Sequence, residues 1–95
     1  MATVSAGGFE WDDAKATVNL EKHRVTFEEA ALALLDPYSV DLEDPVDPSR
    51  VISLALNPAT RILYVVWCQG SEQRTRIISA RKATPHEQRI YEENR

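Results

Sequence analysis

The chain predicts an α+β fold: an antiparallel β-sheet with two N-terminal helices packed on one face and a closing C-terminal helix. Helix-start signals stand at Asp12, Thr26 and Thr84, two of them as capping boxes. Three runs rich in β-branched and aromatic residues, Val51 to Leu56, Arg61 to Cys68 and Arg74 to Ala80, follow one another at hairpin spacing. Helical and strand signals are segregated along the chain, which favours an antiparallel meander.

Gly8-Phe9-Glu10-Trp11 opens as a short edge strand. Asp12 then caps a helix running to about His23. On that helix Lys15, Asn19, Lys22 and His23 fall at i, i+4, i+7 and i+8, one polar stripe beside Ala14, Ala16, Val18 and Leu20. Thr26 and Glu29 form a capping box, with Val25 and Ala30 as its hydrophobic staple. The second helix therefore starts at Phe27. Apolar nearly all round through Leu35, it is expected to be buried and to end at Asp36-Pro37. Tyr38 to Leu42 alternates like a strand, and Glu43 to Ser49 is a loop. Thr84, Pro85 and Glu87 start the last helix.

A tight turn at Gly70-Ser71 would set Arg61 opposite Arg81 and Leu63 opposite Ser79, so that two guanidiniums share a patch. With 95 residues, of which 43% are hydrophobic, the chain supports one modest core. Residues 1–8 are expected to be a disordered tail and 9–95 a single domain. No apolar run approaches the roughly 20 residues of a membrane span, and no secretory signal is evident. A soluble, cytoplasmic protein is expected. Cys68 alone forms no internal disulfide and, without partners, no zinc site.

Charge is unevenly placed. The net charge is −4. Val25 to Ser49 holds seven carboxylates and no Lys or Arg, whereas Arg50 to Arg95 holds eight bases against four acids. The arrangement suits a basic face for an anion and an acidic flank. Solvated or ion-paired side chains are the plainer reading of Arg74 and Lys82, and core packing is the plainer reading of Trp11 and Trp67.

Two separated motifs, in this order, resemble the BrnT toxins of bacterial toxin–antitoxin pairs. The first is Phe9-Glu10-Trp11-Asp12 with Lys15-Ala16, Asn19, Lys22-His23, Val25, Phe27 and Glu29-Ala30. The second is Ile77-Ile78-Ser79-Ala80-Arg81 with Ala83-Thr84 and Glu87. The resemblance covers about Phe9 to Glu93. It implies a RelE-like fold, an endoribonuclease activity, and a BrnA-like ribbon-helix-helix antitoxin that binds both toxin and operator DNA. A hetero-oligomer with two copies of each subunit follows from dimeric ribbon-helix-helix modules. The toxin would meet DNA only through the antitoxin.

RelE-type chemistry needs no cofactor and no metal: a 2′-hydroxyl attacks the adjacent phosphate while cations stabilise the added charge. No cluster of carboxylates and histidines at metal-ligand spacing points elsewhere. Arg81 and Arg61 are the candidate stabilisers, with Arg76 assisting if the strand register differs, because a planar guanidinium grips phosphate oxygens in pairs. His23 and Lys22 are the candidates for proton transfer. Lys15, Arg74 and Lys82 are placed to hold the RNA backbone. The family's usual glycine after the Lys-His pair is Arg24 here, where a left-handed residue would close the helix at a cost of about 1 kcal/mol. Arg24 and the acidic balance favour a reading of another class, a non-catalytic binding module that acts with its antitoxin in autoregulation.

Overall fold

Chain order and pairing place a mixed sheet at the centre of the molecule. The computed structural model describes residues 2–95. Its elements run β1 (Thr3–Ala6), β2 (Phe9–Asp12), α1 (Asp13–His23), α2 (Phe27–Ala33), β3 (Val40–Glu43), β4 (Arg50–Leu56), β5 (Ile62–Gln69), β6 (Thr75–Lys82) and α3 (Pro85–Glu93). The six strands lie in the order β1-β2-β6-β5-β4-β3. The expected meander is present from β3 to β6, and every pair is antiparallel except β2 with β6.

The N-terminus departs from expectation. Thr3–Ala6, expected to belong to a disordered tail, forms β1 and pairs with β2, so β2 is an interior strand rather than an edge. The cause is Gly7-Gly8, a two-residue hairpin connection in which Gly7 takes φ +59°. Met1, also assigned to that tail, lies outside the described residues.

The three N-caps form where expected, but the capping box at Thr26 is only half made, because the Glu29 carboxylate pairs with Arg61 instead of reaching back to the Thr26 N–H. Asp12 accepts the Lys15 N–H at 2.9 Å, Thr26 the Glu29 N–H at 3.0 Å, and Thr84 forms a full capping box with Glu87. Arg24 occupies the left-handed position at φ 58°, ψ 32°, and its N–H reaches the Leu20 carbonyl at 2.9 Å. The second helix is shorter than expected and turns its alanines inward. Phe27, Ala30, Ala31 and Ala33 are buried, while Leu32 is 52% and Leu35 67% exposed. Small side chains let the α2 backbone approach the sheet, so the leucines face out.

The core joins Trp11, Val25, Phe27 and the α2 alanines to Ala55, Leu63, Val65, Ile77 and Ala80. Trp11 and Phe27 meet edge to face, with ring centroids 6.1 Å apart. The indole N–H of Trp67 donates to Ser53 Oγ at 2.7 Å, and that hydroxyl donates to Asp41 at 2.6 Å, which ties β5, β4 and β3 together.

Side chains close both places where a strand outruns its neighbour. β2 pairs with β6 only from Thr75 to Ile77, and beyond it Asn19 of α1 takes over the edge. Its Oδ1 accepts the Ala80 N–H at 3.1 Å, while its Nδ2 donates to the Ala80 carbonyl at 2.8 Å and the Val25 carbonyl at 3.0 Å. On β4, Asp36 accepts the Leu56 N–H at 2.9 Å and the Tyr91 hydroxyl at 2.6 Å. Burial and that bond raise the Tyr91 pKa to about 12. These contacts fix α1 and α3 to the sheet.

Candidate functional site

The α1 stripe takes its position from Asp12 and Asn19. The first ends β2 and starts the helix, and the second pins the middle of the helix to β6. Lys15 and Lys22 lie on either side of Asn19, so fixing the asparagine fixes them. A groove of about 330 Å³ runs between this helix and β6, lined by Asp12, Ala14, Lys15, Val18, Asn19, Lys22, His23, Ile78 and Ser79.

A β-bulge shapes the far wall. Val66 pairs with Ser79 and Trp67 with Ile77, which leaves Ile78 as the extra residue on β6. Ile77 therefore stays in the core while Ile78 and Ser79 both line the groove. Among the described residues, no carboxylate forms an ion pair with Lys15, Lys22 or His23. Three groups able to carry positive charge thus flank an apolar strip made by Val18 and Ile78.

The strand arginines are arranged differently. Arg61, just before β5, pairs with Glu29 and donates to the Arg24 carbonyl. Arg76 meets Glu10 at 2.7 Å. That carboxylate is buried and also accepts the Ser71 hydroxyl, and it sits so close to Gly70 that a Cβ there would lie 2.8 Å from Glu10 Cδ. Arg74 lies 3.6 Å from Glu72 in the β5–β6 loop. Arg81 is held by both oxygens of Glu87, at 2.8 and 3.0 Å. Lys82 is exposed and forms no ion pair among the described residues.

These pairs set the local electrostatics. Hydrogen bonds from Ser71 and then Arg76 hold the Glu10 carboxyl below its usual range. Arg61 does the same for Glu29, and Arg81 for Glu87, in each case against the opposing effect of burial.

The expected pairing of Arg61 with Arg81 does not form. Arg81 stands opposite Tyr64, and Leu63 opposite Lys82. The β5–β6 connection is a five-residue loop, Gly70 to Arg74, closed by the Gly70 N–H on the Arg74 carbonyl at 2.7 Å. Positive φ at Glu72 and Gln73 centres the turn beyond Gly70-Ser71 and, with the bulge, shifts the register. Lys15, Lys22 and His23 are thus brought together, while Arg61, Arg74 and Arg76 are each committed to a separate carboxylate. Arg81 shares the Ser79 face of β6, two residues or about 7 Å farther along. Val18, Ile78 and Ser79 were missed as lining residues. The paired isoleucines Ile77-Ile78, which break strand alternation, were the available signal of the bulge.

The model of the family described as the ribonuclease toxin BrnT of type II toxin–antitoxin systems matches residues 11–87, which take in both motifs apart from Phe9 and Glu10, and the groove between α1 and β6. The chain belongs to the BrnT family. Membership makes it a ribonuclease toxin of a type II system, and such systems pair the toxin with an antitoxin. The crystal structure of the Brucella abortus ribonuclease toxin BrnT is similar in fold, with a TM-score of 0.62 at 21% identity over 78% of this chain and 92% of that one. A comparison with curated proteins finds no match. Among the described residues, no helix is long and apolar enough to cross a membrane.

Proposed function

We propose that this BrnT-family chain is a metal-independent endoribonuclease that takes single-stranded RNA along the groove between α1 and β6. One observation carries the reading: Lys15, Lys22 and His23 line that groove and, among the described residues, form no ion pair with a carboxylate. A phosphodiester backbone needs cations not already neutralised by the protein. In this reading Lys15 holds the backbone, and His23 accepts the 2′-hydroxyl proton as that oxygen attacks the adjacent phosphorus. Lys22 supplies a proton to the departing 5′-oxygen as the P–O5′ bond breaks. The products are a 2′,3′-cyclic phosphate and a free 5′-hydroxyl. Arg81, close to the groove on β6, stabilises the charge that builds on the phosphoryl oxygens.

The antitoxin is proposed to be a BrnA-like ribbon-helix-helix protein that forms a complex with two copies of each subunit. The acidic flank is open to a basic partner: Asp41 and Glu43 are exposed on edge strand β3, and Val46 in the following loop is 90% exposed. Molar-mass measurement on the co-purified pair tests the stoichiometry, and a one-to-one mass would remove it.

A non-catalytic binding module is favoured by one specific observation, the engagement of Arg61, Arg76 and Arg81 with internal carboxylates. Cleavage of a labelled RNA by the antitoxin-free protein in excess EDTA separates the two. The enzyme reading expects products ending in 2′,3′-cyclic phosphate, lost in His23→Ala and Lys22→Ala. Intact RNA that is nevertheless bound supports the binding module.

A further inference from the structure

The ion pair at Arg81 uses only part of its guanidinium. Nη1 donates to Glu87 Oε1 at 2.8 Å and to the Lys82 carbonyl at 3.1 Å, and Nη2 donates once, to Glu87 Oε2 at 3.0 Å. A guanidinium has five N–H donors in two forks. The end fork, Nη1 with Nη2, is occupied. Among the described residues no acceptor engages the side fork, made by Nε–H and the remaining N–H of Nη2.

The face of the group is held as well. The guanidinium carbon lies 3.7 Å from the centroid of the Tyr64 ring, its cross-strand neighbour. Glu87 is itself fixed, because Oε1 also accepts the Thr84 N–H at 2.8 Å in the α3 capping box. The side chain of Arg81 is nonetheless 34% exposed. It is gripped by one edge and one face, with the other edge open.

We infer that Glu87 and Tyr64 are positioning residues for Arg81, holding its guanidinium so that the Nε–Nη2 edge is presented to an RNA phosphate. This rests on the reading of the chain as an RNA-cleaving enzyme with Arg81 at the reacting phosphate. A flexible cation would have to be ordered during each turnover, whereas this one is ordered beforehand. The carboxylate thus aims the arginine and does not silence it.

The test compares steady-state cleavage of a fluorescein-labelled single-stranded RNA 20-mer by wild type, Arg81→Ala, Glu87→Gln, Tyr64→Phe, Tyr64→Leu and the Arg81→Ala/Glu87→Gln double variant. Glutamine retains a capping side chain but loses the charge, and unfolding curves show that each variant is folded. Expected is a kcat loss of about 100-fold for Arg81→Ala and about tenfold for Glu87→Gln, with KM within about twofold. Tyr64→Phe keeps its rate, and Tyr64→Leu loses about as much as Glu87→Gln. The double variant is no slower than Arg81→Ala alone, because both changes act through one group. Losses that multiply in the double variant would make Glu87 merely structural and overturn the inference. So would a Glu87→Gln rate equal to or above wild type, which would mark Glu87 as a competitor of phosphate. Should Glu87→Gln not fold, the Tyr64 pair decides alone. Equal rates for Phe and Leu overturn the inference. Wild-type rates in Arg81→Ala remove the assignment of Arg81, and an intact RNA with folded wild type removes the enzymatic reading beneath it.

Discussion

Two cationic regions of this chain are built on opposite plans. On β6 and just before β5, Arg76 and Arg61 meet carboxylates 66 and 32 positions away in the sequence, and Arg81 meets Glu87 of the following helix, six positions on. On α1, Lys15 and Lys22 have no such partner among the described residues, and the helix that carries them is fixed through Asn19. Positive charge alone therefore does not mark a binding surface. Arginines at 61 and 76 connect elements of the fold, whereas the α1 lysines leave their charge available to a ligand. Arg81 belongs to both plans, held by Glu87 and still open along one edge.

Asn19→Ala should have the largest effect, because that side chain makes the three hydrogen bonds that tie the middle of α1 to its surroundings. It leaves the Ala80 N–H and two carbonyls without their partner, for a loss of about 3 kcal/mol in urea unfolding. A loss under about 1 kcal/mol would show that α1 is fixed by other contacts. Lys22→Ala should leave unfolding within about 0.5 kcal/mol of wild type while reducing cleavage roughly 100-fold. An equal loss of stability would move Lys22 into the structural class with Arg61.

How much of this division was legible in the sequence depends on distance along the chain. The caps at Asp12, Thr26 and Thr84 and the left-handed residue at Arg24 are local, set by side chains within a few positions, and they appear where the sequence places them. The polar stripe on α1 was legible for the same reason. The Glu10–Arg76 pair joins residues 66 positions apart, and no local pattern announces it. The register of β6 depended on a loop centred near Glu72 and on a bulge at Ile78, and an error there displaces every cross-strand partner. Gly7-Gly8 was a readable hairpin signal, passed over because the flanking segment carries few apolar residues.

Arg24→Gly should be stabilising by up to about 1 kcal/mol, since it relieves a left-handed arginine at the end of α1. A melting temperature unchanged or lower would mean that the arginine side chain makes up for its backbone strain. Mild acid should separate the two regions by the smallest amount. Glu29 and Glu87 have carboxyls depressed below their ordinary 4.5, mainly by Arg61 and Arg81. Their contribution is therefore complete above that value and is lost as pH falls through the lower folded-state values. Each pair is worth less than about 1 kcal/mol at this exposure. Denaturant midpoints measured from pH 6 down to pH 3 should fall below pH 4.5, with a shallower fall in Glu87→Gln. A wild-type midpoint that does not fall would show that neither pair contributes.

The proposal that RNA lies between α1 and β6 has a direct structural readout. The most direct evidence is the change in backbone amide NMR signals of the antitoxin-free protein on adding a single-stranded RNA whose 2′-hydroxyls are methylated, so that it cannot be cleaved. Expected are perturbations concentrated from Lys15 to Arg24 and from Ile78 to Lys82, diminished in Lys15→Ala/Lys22→Ala. Perturbations gathered instead along β3 and the 43–49 loop, or persisting unchanged in the double variant, would contradict it.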